Sequence, residues 1–233
     1  PNGASESEFA QRDERLVAAF REEHRIRGPM LLTVGSHSGT KGHRQCLAAF
    51  ALADTGPATL VINGDGRRHS GCTDACRRLS RALGPLLAAR GKRVVMTDLD
   101  RAALVTAFHA ADLFVLLSRI ECSPVVLYEA LAARTPFISS DTGNAREIAR
   151  QTGGGEIVRT LGQPQSRPVA DPLAAVRAIE RLLGDGARRA DMAEAGHAAW
   201  RRRFTWERLT DDYLAVYDEV MTRRAPLPLG TGS

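Results

Sequence analysis

The sequence predicts an α/β protein in which a parallel sheet of about six strands carries helices on both faces. Short apolar runs alternate along the chain with longer segments whose apolar residues recur at helical spacing. Continuous apolar runs are typical of strands buried on both faces, and helical connections join such strands in parallel. The 233 residues are 43% hydrophobic, which is ample for a buried core.

Each predicted strand is a short run bounded by turn residues. The six are Met30–Val34, Thr59–Ile62, Arg93–Met96, Leu113–Leu117, Pro136–Ser139 and Gly153–Val158. Apolar spacing predicts helices over 8–26, around 46–50, and over 72–90, 101–111, 124–134, 172–183 and 187–203.

Several details of the helices follow from individual residues. In the first helix, the inner face is expected to carry Leu16, Val17 and Phe20, with Ile26 as a further candidate. His109 is expected on a helix surface. Residues 159–170 hold Pro, Gly, Gln and Ser and predict a loop.

A last helix is expected after Thr205, which is a suitable N-cap. One face of this helix is apolar at helical spacing. Its members are Trp206, Leu209, Tyr213, Leu214, Tyr217, Val220 and Met221. Residues 226–233 are expected to form a disordered tail.

The net charge of +5 fits a polyanionic ligand or an anionic membrane surface, but it is too mild and too scattered to indicate DNA. We therefore expect no nucleic-acid partner. Four cysteines are too few for a scaffold held together by disulfides. No apolar run approaches the roughly 20 residues of a membrane span. A cytoplasmic protein, with peripheral contact at the inner membrane face, is the expectation.

Cys72 and Cys76 are able to share one helix face, with His69 nearby. A metal site is conceivable there. Free thiols are the favoured interpretation because no second ligand cluster appears in the sequence, so we expect no metal.

The most informative stretch is SRIECSPVVLYEALAARTPFISSD, residues 118–141. Ser123 suits a helix cap and Pro124 suits the first turn of a helix. A strand–turn–helix of this kind directs backbone N–H groups at a phosphate. Glu121 and Glu129 would lie about 12 Å apart on one helix, too far for a glycosidase pair, which stands roughly 5 to 9.5 Å apart.

The two glutamates are able to contact opposite ends of one long ligand. Spacing alone favours a simpler interpretation, in which one is a loop residue and the other an exposed helix residue.

This stretch resembles the E-x7-E signature of family 4 of the retaining, nucleotide-sugar-dependent glycosyltransferases, with Glu121 and Glu129 as its glutamates. Cys-Ser-Pro replaces the family's Gly-Phe-Gly, and Arg134 replaces a common Gly. Further similarities are PNG at 1–3, TGNAREI at 142–148 and RFTWERL at 203–209. The resemblance implies the Rossmann-like, donor-binding half of a GT-B fold.

The resemblance also implies which residues bind the donor. Lys41 matches the Lys of V-G-R-x-x-x-x-K-G that holds the diphosphate, whereas Ser36 stands at the position of its Arg. Asn63 replaces a Gly of the V-G-x-G turn, and Thr97 replaces the Gly of F-L-G-x-V. The implied donor-binding residues are Gly35, Ser36, Lys41, Gly64, Thr97, Leu99, Glu121, Ser123, Pro124, Val125, Val126 and Glu129.

The implied chemistry is transfer of a glycosyl unit from a nucleotide diphosphate sugar to an acceptor hydroxyl, with retention and without a further cofactor. Lys41 and Glu121 are the implied catalytic residues. Lys41 and the amides near Val125 and Val126 would stabilise the leaving diphosphate, Glu121 would hold sugar hydroxyls, and Glu129 would bind the ribose. Leu99 would contact the nucleobase through its backbone.

The resemblance further implies a division into a nucleotide-sugar-binding domain, residues 1–204, and a crossover helix, 205–224, followed by the tail, 225–233. The acceptor, a glycan or lipid, would bind an N-terminal domain absent from this sequence, so we expect a piece of a longer polypeptide. In the absence of that domain, the apolar face of the last helix is expected to favour self-association.

Two other classes of protein are alternatives. One is a non-catalytic nucleotide-sugar-binding or protein-interaction module on the same fold, which the joint presence of Lys41 and both glutamates disfavours. The other is a nicotinamide oxidoreductase. His69 occupies the third glycine position of G-x-G-x-x-G after Gly64 and Gly66, which counts against that class.

Overall fold

The computed structural model describes residues 2–64, 71–162 and 168–223. Its strands are β1 (Met30–Val34), β2 (Thr59–Asn63), β3 (Arg93–Thr97), β4 (Leu113–Leu116), β5 (Phe137–Ser140), β6 (Gly155–Val158), β7 (Thr160–Leu161) and β8 (Val169–Ala170). The first six form one sheet in the order β3-β2-β1-β4-β5-β6, and every neighbouring pair is parallel. The predicted six-stranded parallel sheet is confirmed.

Eleven helices surround or extend from the sheet in the described residues. They are α1 (Glu6–Phe9), α2 (Glu14–Glu23), α3 (His43–Leu52), α4 (Gly71–Ala82), α5 (Gly84–Ala89), α6 (Arg101–Ala110), α7 (Val125–Ala132), α8 (Ala145–Thr152), α9 (Pro172–Gly184), α10 (Gly186–Arg203) and α11 (Trp206–Arg223). The carboxylates of Asp100, Asp171 and Asp185 accept N–H groups at the starts of α6, α9 and α10.

The core consists of two apolar clusters, one on each face of the sheet. Met30 and Leu32 of β1 belong to one cluster with α2, α6, α7 and α10. Leu31, between them, belongs to the other with α3, α5 and α9. This alternation follows from the two-residue period of a strand and explains why the strands are continuously apolar.

Two predicted helices are interrupted. Residues 8–26 form α1 and α2 because the Asp13 carboxylate accepts the N–H groups of Arg15 and Leu16 at 2.8 and 3.2 Å and starts a new helix. Val17 and Phe20 are buried as predicted, and Ile26, which lies beyond α2, packs against the same apolar cluster. Leu16 was predicted wrongly, because it is 56% exposed. The helix predicted over residues 72–90 is divided at Leu83 into α4 and α5. Pro85, in the first turn of α5, has no N–H with which to continue the hydrogen bonds of α4.

Two further predictions were wrong. Residues 160–161 and 169–170 pair as the antiparallel strands β7 and β8 within the expected loop. His109 is buried, not on the helix surface, because Phe9 at the end of α1 packs against α6, with its ring 5.8 Å from the His109 ring.

The N-terminal segment of the described part meets the turn between α10 and α11. Ala4 and Thr205 form a parallel bridge, and Thr205 caps α11 as predicted by accepting the Arg208 N–H at 3.2 Å. Of the predicted apolar face of α11, Leu209 is buried. The others are 40% to 69% exposed: Trp206, Tyr213, Leu214, Tyr217, Val220 and Met221. The predicted tail lies outside the described residues.

None of the helices in the described part of the chain combines the length and hydropathy that a bilayer span requires.

The loop between β1 and α3 packs tightly on the end of β4. Gly42 has a φ of 72°, and a Cβ at this position would lie 1.9 Å from the Leu117 carbonyl oxygen. The Arg119 N–H donates to the Thr40 carbonyl at 2.8 Å, which joins the same two segments. Only glycine fits this approach.

Gly42→Ala is therefore expected to destabilise the protein by about 3 kcal/mol or more, from left-handed strain plus the clash with Leu117. Gly39→Ala is the matched control, because Gly39 has a φ of 80° but open space around it. It should cost only about 1 kcal/mol. Urea denaturation measures both, and equal losses would show that the contact with Leu117 does not constrain the loop.

Candidate functional site

The strand order reverses between β1 and β4, which are adjacent in the sheet although two strands separate them in the chain. Ligands of open α/β sheets bind at such a point, beyond the carboxyl ends of the strands. A cavity of about 300 Å³ lies there. It is lined by Val34, Gly35, Lys41, Glu121, Ser123, Pro124, Val125 and Val126. All but Val34 are residues that the sequence predicted for donor binding.

An ion pair closes one side of this cavity. Lys41 Nζ lies 2.8 Å from Glu121 Oε1, and the Glu121 side chain is only 9% exposed. The Lys41 stem crosses Gly35, where a Cβ would lie 2.9 Å from Lys41 Cγ. Gly35 thus holds the cation at the cavity by leaving room for its stem.

The start of α7 forms another side of the cavity. Pro124 occupies the N-cap position with a φ of −69°, and no side chain caps the helix. The prediction of Ser123 as the cap was wrong, because the helix begins one residue later and proline occupies the capping position. The N–H groups of Val125 and Val126 are in the first turn, where a helix offers them no internal acceptor.

The turn before α7 is held by contacts from distant parts of the chain. Asn2 Nδ2 donates to the Ser123 carbonyl at 2.8 Å, and the Asn144 N–H donates to the Cys122 carbonyl at 3.0 Å. Gly143, with a φ of 57°, allows the Cys122 carbonyl to approach, since a Cβ there would lie 2.4 Å away from its oxygen. These contacts fix the direction of the α7 amides.

Glu129 does not line the cavity. Its Oε1 lies 2.6 Å from Arg101 Nη1, and Arg101 also binds Glu8 with Nη2 at 2.7 Å from Oε2. Burial raises the pKa of Glu129, although the neighbouring guanidinium acts in the opposite direction. Sequence reasoning missed Arg101 and Glu8, because residues 93 positions apart carry no shared local pattern.

The ends of β2 and β3 are joined by hydrogen bonds. Asn63 Oδ1 accepts from Thr97 Oγ1 at 3.1 Å and from the Leu99 N–H at 2.9 Å. The N–H of Gly64 donates to the Thr97 carbonyl, and that of Gly35 donates to the Asn63 carbonyl, both at 3.1 Å. A nucleobase at Leu99 would therefore have to use a backbone atom other than this N–H.

Ser36 also lies outside the lining of the cavity. Its carbonyl accepts the Ser38 N–H at 2.8 Å within the same loop. Among the residues that the structure describes, Lys41 is thus the cation that lines the cavity.

The family profile described as "Glycosyl transferases group 1" matches residues 17–199. The chain belongs to this family. It is 29% identical over 199 residues to a D-inositol 3-phosphate glycosyltransferase of Xylanimonas cellulosilytica, an alignment that covers 85% of this chain and 44% of that protein. The chain thus spans less than half the length of this curated relative.

Solved structures share the fold. The Anabaena protein HepE, in complex with UDP-glucose, aligns with a TM-score of 0.74 at 18% identity, over 93% of this chain and 56% of that one. The C-terminal domain of the group 1 glycosyltransferase LpcC from Francisella tularensis aligns at 0.67 and 16% identity, over 88% of this chain and all of that domain. The fold is that of the C-terminal half of a GT-B glycosyltransferase.

Removing Arg101 should expose the cost of the buried Glu129 carboxylate. Arg101→Met is expected to lose about 2 kcal/mol at pH 7, because Glu129 is 8% exposed and would keep its charge without a cation. Arg146→Met, which breaks the exposed pair with Asp141, should cost less than about 0.5 kcal/mol.

The pH dependence distinguishes this cause from lost packing. Without Arg101 the pKa of folded Glu129 rises further, so the folded state binds more protons than the unfolded state just above pH 4.5. Stability of Arg101→Met should then increase relative to the wild type as the pH falls from 7 towards 5. Urea denaturation measures the difference in stability between Arg101→Met and the wild type at each pH. If this difference is constant between pH 7 and pH 5, the buried charge of Glu129 is not its cause.

Proposed function

We propose that this chain is the donor-binding domain of a retaining, family 4 type glycosyltransferase that moves a sugar from a nucleotide diphosphate sugar to an acceptor hydroxyl. One observation carries the proposal: the cavity at the strand-order reversal combines the Lys41 ammonium with the uncapped start of α7. Both are positive, and both face one small volume.

This combination suits a diphosphate. The first-turn amides of Val125 and Val126 and the positive end of the helix favour an anion, and Lys41 adds a full charge. When the bond between the sugar and the diphosphate breaks, negative charge grows on the leaving phosphate. Donors that are already fixed in position stabilise that charge without reorganising, which lowers the barrier.

Glu121 is proposed to orient the sugar. Its Oε1 is paired with Lys41, so a sugar hydroxyl would donate to the other carboxylate oxygen. The same ion pair argues against a covalent role for Glu121, because a carboxylate bound to an ammonium is a weaker nucleophile. Retention without a glycosyl-enzyme intermediate is the mechanism that we propose.

Glu129 is proposed to accept a hydrogen bond from the ribose, and Arg101 would share its carboxylate. Support for the donor class comes from the relatives: the HepE structure contains UDP-glucose, and the Xylanimonas relative is named a glycosyltransferase. Since the chain covers 44% of that relative, we propose that the acceptor, a glycan or lipid, binds outside these 233 residues. The exposed face of α11 is then a surface for that other half.

Nucleotide sugars should raise the melting temperature of the chain, and NAD should not. In a screen of UDP-, GDP- and ADP-sugars, the best ligand should bind Lys41→Met more weakly by about 1.5 to 3 kcal/mol, since a charged hydrogen bond to phosphate is lost. Arg150→Met removes an equal charge from the exposed last turn of α8, a helix that packs against the edge strand β6, and should leave affinity unchanged.

Calorimetric titration of both variants separates the proposal from a general charge effect. Equal weakening by Lys41→Met and Arg150→Met would show that the cavity does not hold the diphosphate. Stabilisation by NAD alone would exclude the donor class that we propose.

The 233-residue chain should bind its donor yet transfer no sugar by itself. Holding the acceptor against the anomeric carbon contributes roughly 7 to 11 kcal/mol towards lowering a barrier, and that positioning requires the other half. The test compares this chain with a two-domain version, using the same donor and acceptor and following the anomeric configuration of the product. Comparable turnover by the short chain, or inversion by the long one, would contradict the respective proposals.

A further inference from the structure

A second cluster of reactive side chains lies beside the loop between β1 and α3. His37 of this loop and Cys72 and Cys76 of α4 bring their ligand atoms within 4.8 Å of one another. The sequence singled out the two cysteines but not His37, which precedes Cys72 by 35 positions. His69, the histidine that the sequence did suggest, lies outside the described residues.

We propose that His37, Cys72 and Cys76 form a zinc site. Thiolate sulfur and imidazole nitrogen are the ligands that structural and catalytic zinc takes in proteins. The cysteines lie four residues apart on α4, so both side chains lie on one face of the helix. The assignment rests on the metal chemistry of this cluster and does not depend on the proposed glycosyl transfer.

The distances between the three ligand atoms are close to those found around a bound metal. Tetrahedral zinc with Zn–S bonds of about 2.3 Å places two sulfurs about 3.8 Å apart. The observed limit of 4.8 Å exceeds this by only about 1 Å, which small rotations of the side chains are able to close. Three ligands from two separate elements thus converge without movement of the backbone.

His37 also has the kind of partner that orients a metal-binding histidine. Nδ1 of His43 lies 3.2 Å from Nδ1 of His37, and both rings are buried. This contact engages Nδ1 of His37, so we assign metal binding to Nε2. A hydrogen bond to the other ring nitrogen fixes the tautomer of a ligating histidine and typically raises metal affinity 10- to 100-fold.

The cluster is reached through a cavity of about 540 Å³ that His37 and Cys72 line together with Gly39, Arg44 and Arg119. The cavity supplies a route for the metal and room for a fourth ligand such as water. When Zn²⁺ binds, each thiol gives up one proton, and the two thiolates balance the two charges of the ion. Two protons are therefore released for each zinc bound.

The site would also connect two parts of the fold. His37 is four residues before Lys41, in the loop that reaches the candidate donor cavity, and α4 follows β2. A metal that joins the loop to α4 would restrict the movement of the segment that carries Lys41. This places a structural constraint directly beside the site that binds the phosphate in our proposal.

Zinc titration of the 233-residue chain tests the proposal. The chain is prepared without an affinity tag, reduced, and stripped of metal, and zinc binding is measured by competition with a chromophoric chelator. We expect one zinc per chain, with at least tenfold weaker binding in Cys72→Ala and in His37→Gln. Cys122→Ala is the control, because Cys122 is an exposed cysteine outside the cluster, and it should bind as the wild type does.

Two further readouts keep the result unambiguous. Cobalt in place of zinc should give a thiolate-to-metal charge-transfer absorption that Cys72→Ala weakens, and His43→Phe should lower zinc affinity about 10- to 100-fold. Circular dichroism confirms that each variant is folded. Failure of the wild type to bind zinc, or equal affinity in the wild type and the folded variants Cys72→Ala and His37→Gln, would overturn the proposal.

Discussion

The candidate site depends on one ion pair, between Lys41 and Glu121, across the point where the strand order reverses. Lys41 follows β1 and Glu121 follows β4, and their side chains meet at 2.8 Å because these strands are neighbours in the sheet. Gly35 and Gly42 make the approach possible, the first under the Lys41 stem and the second against the Leu117 carbonyl. A side chain at Gly42 would push the loop away from the Leu117 backbone, and one at Gly35 would displace the Lys41 stem.

The backbone at the strand ends explains why we place the proposed anion site at α7 and not at the glycine turns. The N–H groups of Gly35, Gly64 and Leu99 all donate to acceptors on neighbouring segments. The start of α7 lacks a side-chain cap and offers its amides to the cavity. Glycine at the strand ends therefore serves close packing, whereas the helix supplies the donors.

Two departures from the family pattern compensate for each other. Asn63 and Thr97 each replace a glycine of the resembling motifs, and the structure joins their side chains at 3.1 Å. Arg134 replaces a third glycine and has a φ of 58° just after α7, a conformation that favours glycine. Its side chain pairs with Glu194 of α10. The sequence marked these positions as exceptions, and only the contacts explain how they are accommodated.

The sequence by itself determined the parallel sheet, the positions of most helices and the strand–turn–helix at Glu121. These features follow from the spacing of apolar residues and from turn residues, which are local properties of the sequence. Tertiary structure decided the partners of the charged and reactive side chains. The ion pair between Arg101 and Glu129 joins residues far apart in the chain, and so does the cluster of His37, Cys72 and Cys76. No local pattern encodes such pairs, since they depend on which elements the strand order makes adjacent.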